Sequence, residues 1–292
     1  MLFEGINVYT NESMKKHTTF RIGGNADYFL IPENTSELQS AIKICRANNI
    51  PYFILGNGSN ILVSDKGIEG AVISTEKLNT IEVYEDTIYA QAGAKLSKTA
   101  SIAAENSLSG FETLSGIPGT VGGAVFMNAG AYGGEIKDVA LEVYAIDENG
   151  NEKTFSNSEC NFGYRSSIFS SGEYIITGAK FRLRTKDKDE ITAQMRDYAE
   201  RRRDRQPLSF PSAGSTFKRP EGYFAGKLIQ DSGLRGFAIG GAAVSEKHCG
   251  FVVNTGNATC SDVVNLIDYI KKCVYEKFGV MLHEEVRIIG RK

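Results

Sequence analysis

Twenty consecutive residues, Ser115 to Gly134, carry seven glycines and no charged side chain. Glycine lets a backbone enter left-handed conformations and approach a ligand with bare amide groups. A stretch of this density suits a phosphate or a dinucleotide; its plain alternative is a tight turn buried between two sheets. A second loop of small residues, Gly56-Asn57-Gly58-Ser59-Asn60, follows an apolar strand, and its plain alternative is a hairpin turn. Neither loop is a standard nucleotide motif. The only Gly-Lys pair, Gly226-Lys227, is followed by Leu228 and lacks the upstream glycine of a P-loop. Gly56-Asn57-Gly58 lacks the third glycine of a Rossmann turn and leads into a strand, so a standard NAD domain is not expected. Two glycine loops in one lobe can instead wrap a long diphosphate ligand with backbone amides in place of lysines, and a flavin dinucleotide fits that description.

Other chemistries find little support. His248 beside Cys249 suggests a metal-ligand pair, but no second pair at metal spacing follows, and no metal is expected. The five cysteines, Cys45, Cys160, Cys249, Cys260 and Cys273, form no CxxC pair, and an odd number suits a reducing compartment. The N-terminus lacks a basic then apolar run, and no window approaches eighteen uninterrupted apolar residues; a cytoplasmic protein without a membrane partner is expected. A net charge of −2 argues against nucleic acid as the main partner, so any phosphate must be read locally.

The elements that must hold these loops are readable in order. Ala26 to Ile31 reads as a strand closed by Pro32, and Asn34 then caps a helix, with Glu37 three residues later. That helix runs to about Asn49 with Leu38, Ala41, Ile42 and Cys45 on its apolar face. Tyr52 to Leu55 is a buried strand that delivers the chain into Gly56, and Ile61 to Val63 is another beyond the loop. Gly70 to Ala92 is strand-rich, and Lys95 to Asn106 is a helix with Leu96, Ala100 and Ala103 inward. Val139 to Ile146 and Tyr174 to Leu183 are strands, the first followed by the turn Glu148 to Asn151. Lys186 to Glu190 is a charged break before a helix from Ile191 to Arg205. The last segment has strands near Val244 and Phe251 to Asn254, and a long helix from Asp262 to Phe278 with Val263, Ile267, Ile270, Val274 and Phe278 in one stripe. Gly279 stops that helix, and a final strand runs from Val286 to Ile289. The chain therefore reads as α+β, with lobes at 1–70, 71–188 and 189–292.

Several stretches together resemble one family. His17-Thr18-Thr19-Phe20-Arg21-Ile22-Gly23-Gly24, Leu55 to Asn60, Gly116-Ile117-Pro118-Gly119-Thr120-Val121-Gly122-Gly123-Ala124 and Met127-Asn128-Ala129-Gly130-Ala131-Tyr132-Gly133 are similar to motifs of the UDP-N-acetylenolpyruvoylglucosamine reductases. Tyr164-Arg165-Ser166-Ser167-Ile168-Phe169, Ala213-Gly214-Ser215-Thr216-Phe217-Lys218-Arg219-Pro220 and Glu285-Val286-Arg287 continue the family's order across nearly the whole chain. The resemblance implies vanillyl-alcohol-oxidase type FAD-binding lobes followed by an α+β substrate-binding domain. It implies FAD as cofactor and NADPH as hydride donor, acting in turn in a ping-pong pattern. The implied substrate is a UDP-sugar enolpyruvyl ether, reduced to UDP-N-acetylmuramate in peptidoglycan precursor synthesis by a monomer.

The family's motifs place FAD contacts at Gly56, Asn57, Gly58, Ser59 and Asn60, and at Gly116, Ile117, Pro118, Gly119, Thr120, Gly122, Gly123, Ala124, Asn128 and Gly130. They place the catalytic roles at Arg165, Ser215 and Glu285. Hydride from flavin N5 adds to the terminal vinyl carbon, and the enolate-like charge left behind needs preorganised stabilisation. Arg165 offers a permanent cation with parallel donors, and Glu285, if protonated, offers another hydrogen bond. Ser215 then delivers the proton, which asks for a nearby cation such as Lys218 or Lys227, because a hydroxyl is a weak acid. Taken singly, these residues read as a surface ion pair, a Gly-Ser turn and a solvated strand end. The interval from Arg165 to Ser215 is too short for the tyrosine-bearing insertion of some members, and Arg219 stands where others have asparagine; what closes over the UDP group is thereby left open. The run Arg201, Arg202, Arg203 and Arg205 suits either the UDP diphosphate or a solvated helix end. Rival readings are an alcohol oxidase of the same fold and a non-catalytic nucleotide-binding module. A bulky side chain at Gly122 or Gly123 is expected to yield colourless protein lacking FAD; normal flavin absorbance in those variants contradicts the clamp.

Overall fold

Helix α1, Thr35–Ala47, starts where the sequence places it. In the computed structural model, which describes residues 2–292, the Asn34 side chain accepts from the Glu37 backbone N–H at 2.9 Å. Glu37 reaches back to the Glu33 N–H at 2.9 Å, one residue earlier than a regular capping box. Leu38, Ala41, Ile42 and Cys45 are fully buried, so the helical spacing of apolar residues becomes one packed face.

Contacts divide the chain into two compact units. The first comprises the N-terminal residues to Thr10, Tyr28–Asn57 and Gly70–Arg202; the second comprises Asn11–Asp27, Gly58–Glu69 and Arg203–Lys292. Each is interleaved in sequence, unlike the consecutive lobes expected at 1–70, 71–188 and 189–292. One reason is a parallel strand pair in the second unit, Ile61–Val63 with Arg287–Ile289, which joins residues from opposite ends of the chain. The other is the helix after Thr185, which packs Met195 against the core of the first unit.

The first unit holds most of a four-stranded sheet ordered Asn7–Ser13, Asn25–Ile31, Ile68–Ser74 and Tyr52–Leu55, whose last two strands run parallel. The strand Asn7–Ser13 was not anticipated: it lies at the sheet edge, is polar and mostly exposed, and so carries no period-two apolar signal. A five-stranded antiparallel sheet follows, ordered Glu152–Ser156, Ala140–Asp147, Tyr174–Arg182, Thr87–Gln91 and Ile81–Tyr84. Helix α2, Leu96–Glu105, and the short α3, Val121–Phe126, contribute to its core, where Phe111 meets Phe181 edge to face at 4.9 Å. Helix α3 lies inside the glycine-rich stretch. Helix α4, Lys188–Arg205, begins within the expected charged break because the Asp187 carboxylate accepts from the N–H groups of Asp189 and Glu190.

The second unit packs α5, Ala225–Asp231, and α6, Cys260–Phe278, with a three-stranded antiparallel sheet, Ala238–Ile239, Ala242–Val244 and Val252–Asn254. Val263, Ile267, Ile270 and Val274 bury the predicted stripe of α6, and Gly279 ends it at φ +68°. Its start is densely satisfied. Thr259 and Asp262 form a reciprocal capping box, and the Asp65 carboxylate accepts from the N–H groups of Cys260 and Ser261 at 2.7 and 2.9 Å. Among the described residues, no helix is long and apolar enough to cross a membrane.

Backbone N–H groups of Thr259 and Gly241 hold the Asp262 carboxyl below the usual carboxylate range. Its folded pKa is thus below its unfolded one, so the stabilisation is present above about pH 4 and fades as pH falls toward the folded value. Asp262→Asn is expected to flatten the acid side of the stability profile, and Thr259→Ala to cost about 1 kcal/mol in denaturant unfolding at neutral pH. An unchanged profile and midpoint would remove this account of how α6 starts.

Candidate active site

The two glycine loops meet in the first unit. The Asn57 amide donates to the Pro118 carbonyl at 2.7 Å, and a Cβ on Gly56 would come within 2.5 Å of the Thr120 hydroxyl. Glycine at 56 is therefore a requirement of close loop approach. Thr120 caps α3, with its hydroxyl facing the Gly123 N–H at 3.4 Å. The first amides of α3 are largely committed within the protein: Val121 donates to the Ala94 carbonyl and Gly122 to that of Ala92, both at 2.8 Å.

Gly122 and Gly123 consequently do different things. A Cβ on Gly122 would stand 2.8 Å from the Ala92 Cβ, so that glycine allows a helix to seat on a strand end. Gly123 is exposed, and an added Cβ would meet nothing closer than the Thr120 hydroxyl at 3.5 Å. Ala124 is buried in the core. Gly116 is exposed and lies against the Arg202 guanidinium, 3.1 Å from an added Cβ. Arg202 also faces the Tyr132 ring, which stacks on Tyr198 at 4.6 Å, and its buried Nε has no hydrogen-bond partner. The arginine run thus places one member beside the glycine loop, which its sequence did not single out.

Arg165 stands in this unit at a corner of the turn between Gly163 and Ser166, with φ +54°. That left-handed conformation is costly for a residue with a side chain and marks a position held by its surroundings. Its guanidinium is half-buried, donates to the Gly130 carbonyl at 3.2 Å and lies 5.3 Å from the Tyr164 ring centroid. Asn128, expected against FAD, is fully buried; its amide donates to Glu135 and to the Gly163 carbonyl, and its oxygen accepts from the Lys137 N–H. With both donors spent inside the protein, this side chain has none to offer a ligand.

In the second unit, Ser215 and Glu285 are brought together by backbone pairing. Glu285 N–H donates to the Thr216 carbonyl at 2.8 Å, and Lys218 N–H donates to that of His283 at 2.8 Å. Thr216 is fixed from behind, its N–H donating to the Gly250 carbonyl and its hydroxyl accepting from Val252 N–H at 2.9 Å. Ser215 is exposed and Glu285 half-buried. The Asn60 amide donates to the Glu285 carbonyl at 3.1 Å, and Arg287 N–H to the Asn60 carbonyl at 3.0 Å, tying the end of the small-residue loop to this segment. At Gly58, φ is +60° and an added Cβ would stand 2.1 Å from the His17 carbonyl oxygen. Ser59 lies between them, partly exposed.

Of the expected cations, Lys227 is paired with Asp231 one helical turn on, whereas Lys218 is exposed. Arg219 lies 4.0 Å over the Phe224 ring. His248 is a structural residue: its Nδ1 accepts from Gly250 N–H at 3.1 Å, and burial lowers its pKa. Burial pushes the thiols of Cys45 and Cys260 up to about 11 and that of Cys160 to about 12, which leaves none of these three as a thiolate at neutral pH.

Comparison with known proteins assigns a chemistry to this geometry. Residues 26–156 match a family described as FAD binding domain, and residues 206–289 match the UDP-N-acetylenolpyruvoylglucosamine reductase C-terminal domain. A UDP-N-acetylenolpyruvoylglucosamine reductase of Caldanaerobacter subterraneus subsp. tengcongensis is 53% identical over 100% of this chain and 96% of its own. One from Clostridium perfringens is 53% identical over 98% of this chain and 94% of its own. The crystal structure of UDP-N-acetylenolpyruvylglucosamine reductase from Thermus caldophilus has a TM-score of 0.82 and 35% identity, covering 97% of this chain and 98% of that one. The joined glycine loops and the exposed Gly123 form a small-residue surface of the kind that suits the diphosphate of FAD.

This geometry separates two substitutions. Gly123→Leu is expected to retain the fold, read by circular dichroism and thermal unfolding, while losing bound flavin absorbance. Gly122→Leu should lower thermal stability itself, because its side chain runs into Ala92. Gly123→Leu protein with a full flavin spectrum would show that this surface does not face the cofactor.

Proposed function

The chain belongs to the UDP-N-acetylenolpyruvoylglucosamine reductase family, and from that premise we propose that it uses NADPH to reduce the enolpyruvyl ether of UDP-N-acetylglucosamine to UDP-N-acetylmuramate. The observation that supports this most is the backbone pairing of Thr216 and Lys218 with Glu285 and His283, which sets a hydroxyl and a carboxyl on two paired segments. Gly56, Asn57, Gly116 to Thr120 and Gly123 would hold FAD in the first unit. FAD, when bound, supplies the hydride that adds to the terminal vinyl carbon of the substrate.

Addition there moves the π electron pair onto the neighbouring carbon and the carboxylate. Arg165 binds that carboxylate: a guanidinium presents parallel N–H groups matched to two oxygens. Stabilisation of this kind is strongest when the donor is preoriented, and Arg165 is already held by its turn and by the Gly130 carbonyl. Ser215 donates the proton to the carbon bearing the ether oxygen. Its transient alkoxide favours the exposed Lys218 as the nearby cation over Lys227, which is committed to Asp231. Glu285 in its protonated form donates to the developing negative charge.

Ser215→Ala isolates the proton step. The variant is expected to bind FAD and to be reduced by NADPH in stopped flow at the wild-type rate, while product formation falls by roughly 10²- to 10⁴-fold. Normal turnover would exclude Ser215 as the proton donor.

A further inference from the structure

The left-handed turn that carries Arg165 is clasped from the glycine-rich stretch by residues that touch no reacting atom under the reading above. Asn128 is fully buried and occupies a left-handed conformation itself, at φ +44°. One N–H of its amide reaches the Gly163 carbonyl at 3.0 Å, across 35 positions, and so holds the first residue of the Arg165 turn. The amide also donates to Glu135 Oε2 at 3.0 Å. Glu135 is paired in register with Gly130, the residue whose carbonyl receives the Arg165 guanidinium.

The hairpin Gly130–Glu135 thereby controls both ends of the arginine. Its tip, Tyr132 and Gly133 at φ +53° and +89°, is a type I′ turn, which fixes the register of Gly130 against Glu135. On the far side of the Arg165 turn, the buried Ser167 hydroxyl donates to the Phe126 carbonyl at 2.6 Å, at the end of α3. Glu135 also pairs with Lys137 at 2.8 Å. Burial would raise the Glu135 carboxyl, but hydrogen bonds from Lys137 and Asn128, with the charges of Lys137 and Arg165, hold it below its usual range. It is therefore an anion at neutral pH and part of the electrostatic surroundings of Arg165.

We propose that Asn128 and Glu135 are positioning residues: Asn128 fixes the Arg165 turn through the Gly163 carbonyl, and the Glu135 carboxylate holds the Asn128 amide in place by a charge-assisted hydrogen bond, so that together they orient the Arg165 guanidinium for the substrate carboxylate. This rests on Arg165 being the carboxylate-binding cation, so Arg165→Ala is measured beside the other variants. Glu135→Gln keeps an acceptor for Asn128 and removes the charge. Asn128→Asp keeps the side-chain size and an acceptor for Lys137 while ionised, and abolishes both donated bonds.

The readouts are KM for the enolpyruvyl sugar, kcat, flavin content and the rate of flavin reduction by NADPH. Glu135→Gln is expected to keep its flavin and its reduction rate, to raise the sugar KM, and to lose roughly 10- to 100-fold in kcat/KM. In the Arg165→Ala background the same change should add nothing, because it acts through Arg165. Asn128→Asp should follow the same pattern; where it does not fold, the Glu135 series decides. Wild-type kcat/KM in Glu135→Gln, or a loss that multiplies undiminished with that of Arg165→Ala, overturns the proposal while leaving Arg165 in its role. Normal turnover by Arg165→Ala overturns the role of Arg165 and the positioning proposal with it.

Discussion

Loops that build a site must still satisfy their backbone amides, and here they do so on one another. Val121 and Gly122 donate to carbonyls at a strand end, Thr216 donates to Gly250, and Glu285 donates to Thr216. An unpaired buried amide costs about 1–3 kcal/mol, so each of these bonds restricts where its loop can lie. The close approaches require glycine at defined points: Gly56 against Thr120, Gly122 against Ala92 and Gly58 against His17. Loop-borne groups thereby acquire the rigidity that catalysis needs, since donors must be oriented before charge develops.

The same logic applies to the backbone that carries the proposed catalytic residues. Arg165 occupies a backbone conformation that a substituted residue adopts reluctantly, and its guanidinium is docked on a carbonyl. Ser215 follows Gly214, at φ +78°, and precedes the buried Thr216, whose N–H, carbonyl and hydroxyl are all hydrogen-bonded. The exposed serine hydroxyl is thus carried by a backbone anchored one residue away. The regular elements contribute indirectly. Sheet and helices of the first unit form the support for α3 and its glycine loop, and α6 anchors the core of the second unit.

Much of this was legible in the amino-acid order where physics is local. Asn34 with Glu37 marked the start of α1, and the stripe from Val263 to Val274 with Gly279 marked α6 and its end. Helix α3 was not legible, because two adjacent glycines cost about 1 kcal/mol each in helix propensity and tertiary contacts override them. The start of α4 was hidden in a charged run whose capping residue, Asp187, looked like one more solvated charge. Glycine density pointed to close backbone approach but did not separate Gly122, which packs on a strand, from Gly123, which faces outward. Asn128 looked like part of a ligand loop; its role depends on the carbonyl of Gly163, a contact no local pattern encodes. The interleaved units were equally hidden, since a parallel pair between Ile61–Val63 and Arg287–Ile289 is set by the tertiary fold.

The proposed chemistry is a flavin-dependent reduction that requires the enolpyruvyl sugar. The most direct measurement is NADPH oxidation by the purified protein under air, followed optically together with its flavin spectrum, with and without the UDP-N-acetylglucosamine enolpyruvyl ether. A yellow protein that releases FAD on denaturation, and oxidises NADPH in step with formation of UDP-N-acetylmuramate only when the sugar is present, is the expected result. A colourless protein, or NADPH oxidation by oxygen at a rate indifferent to the sugar, would contradict it.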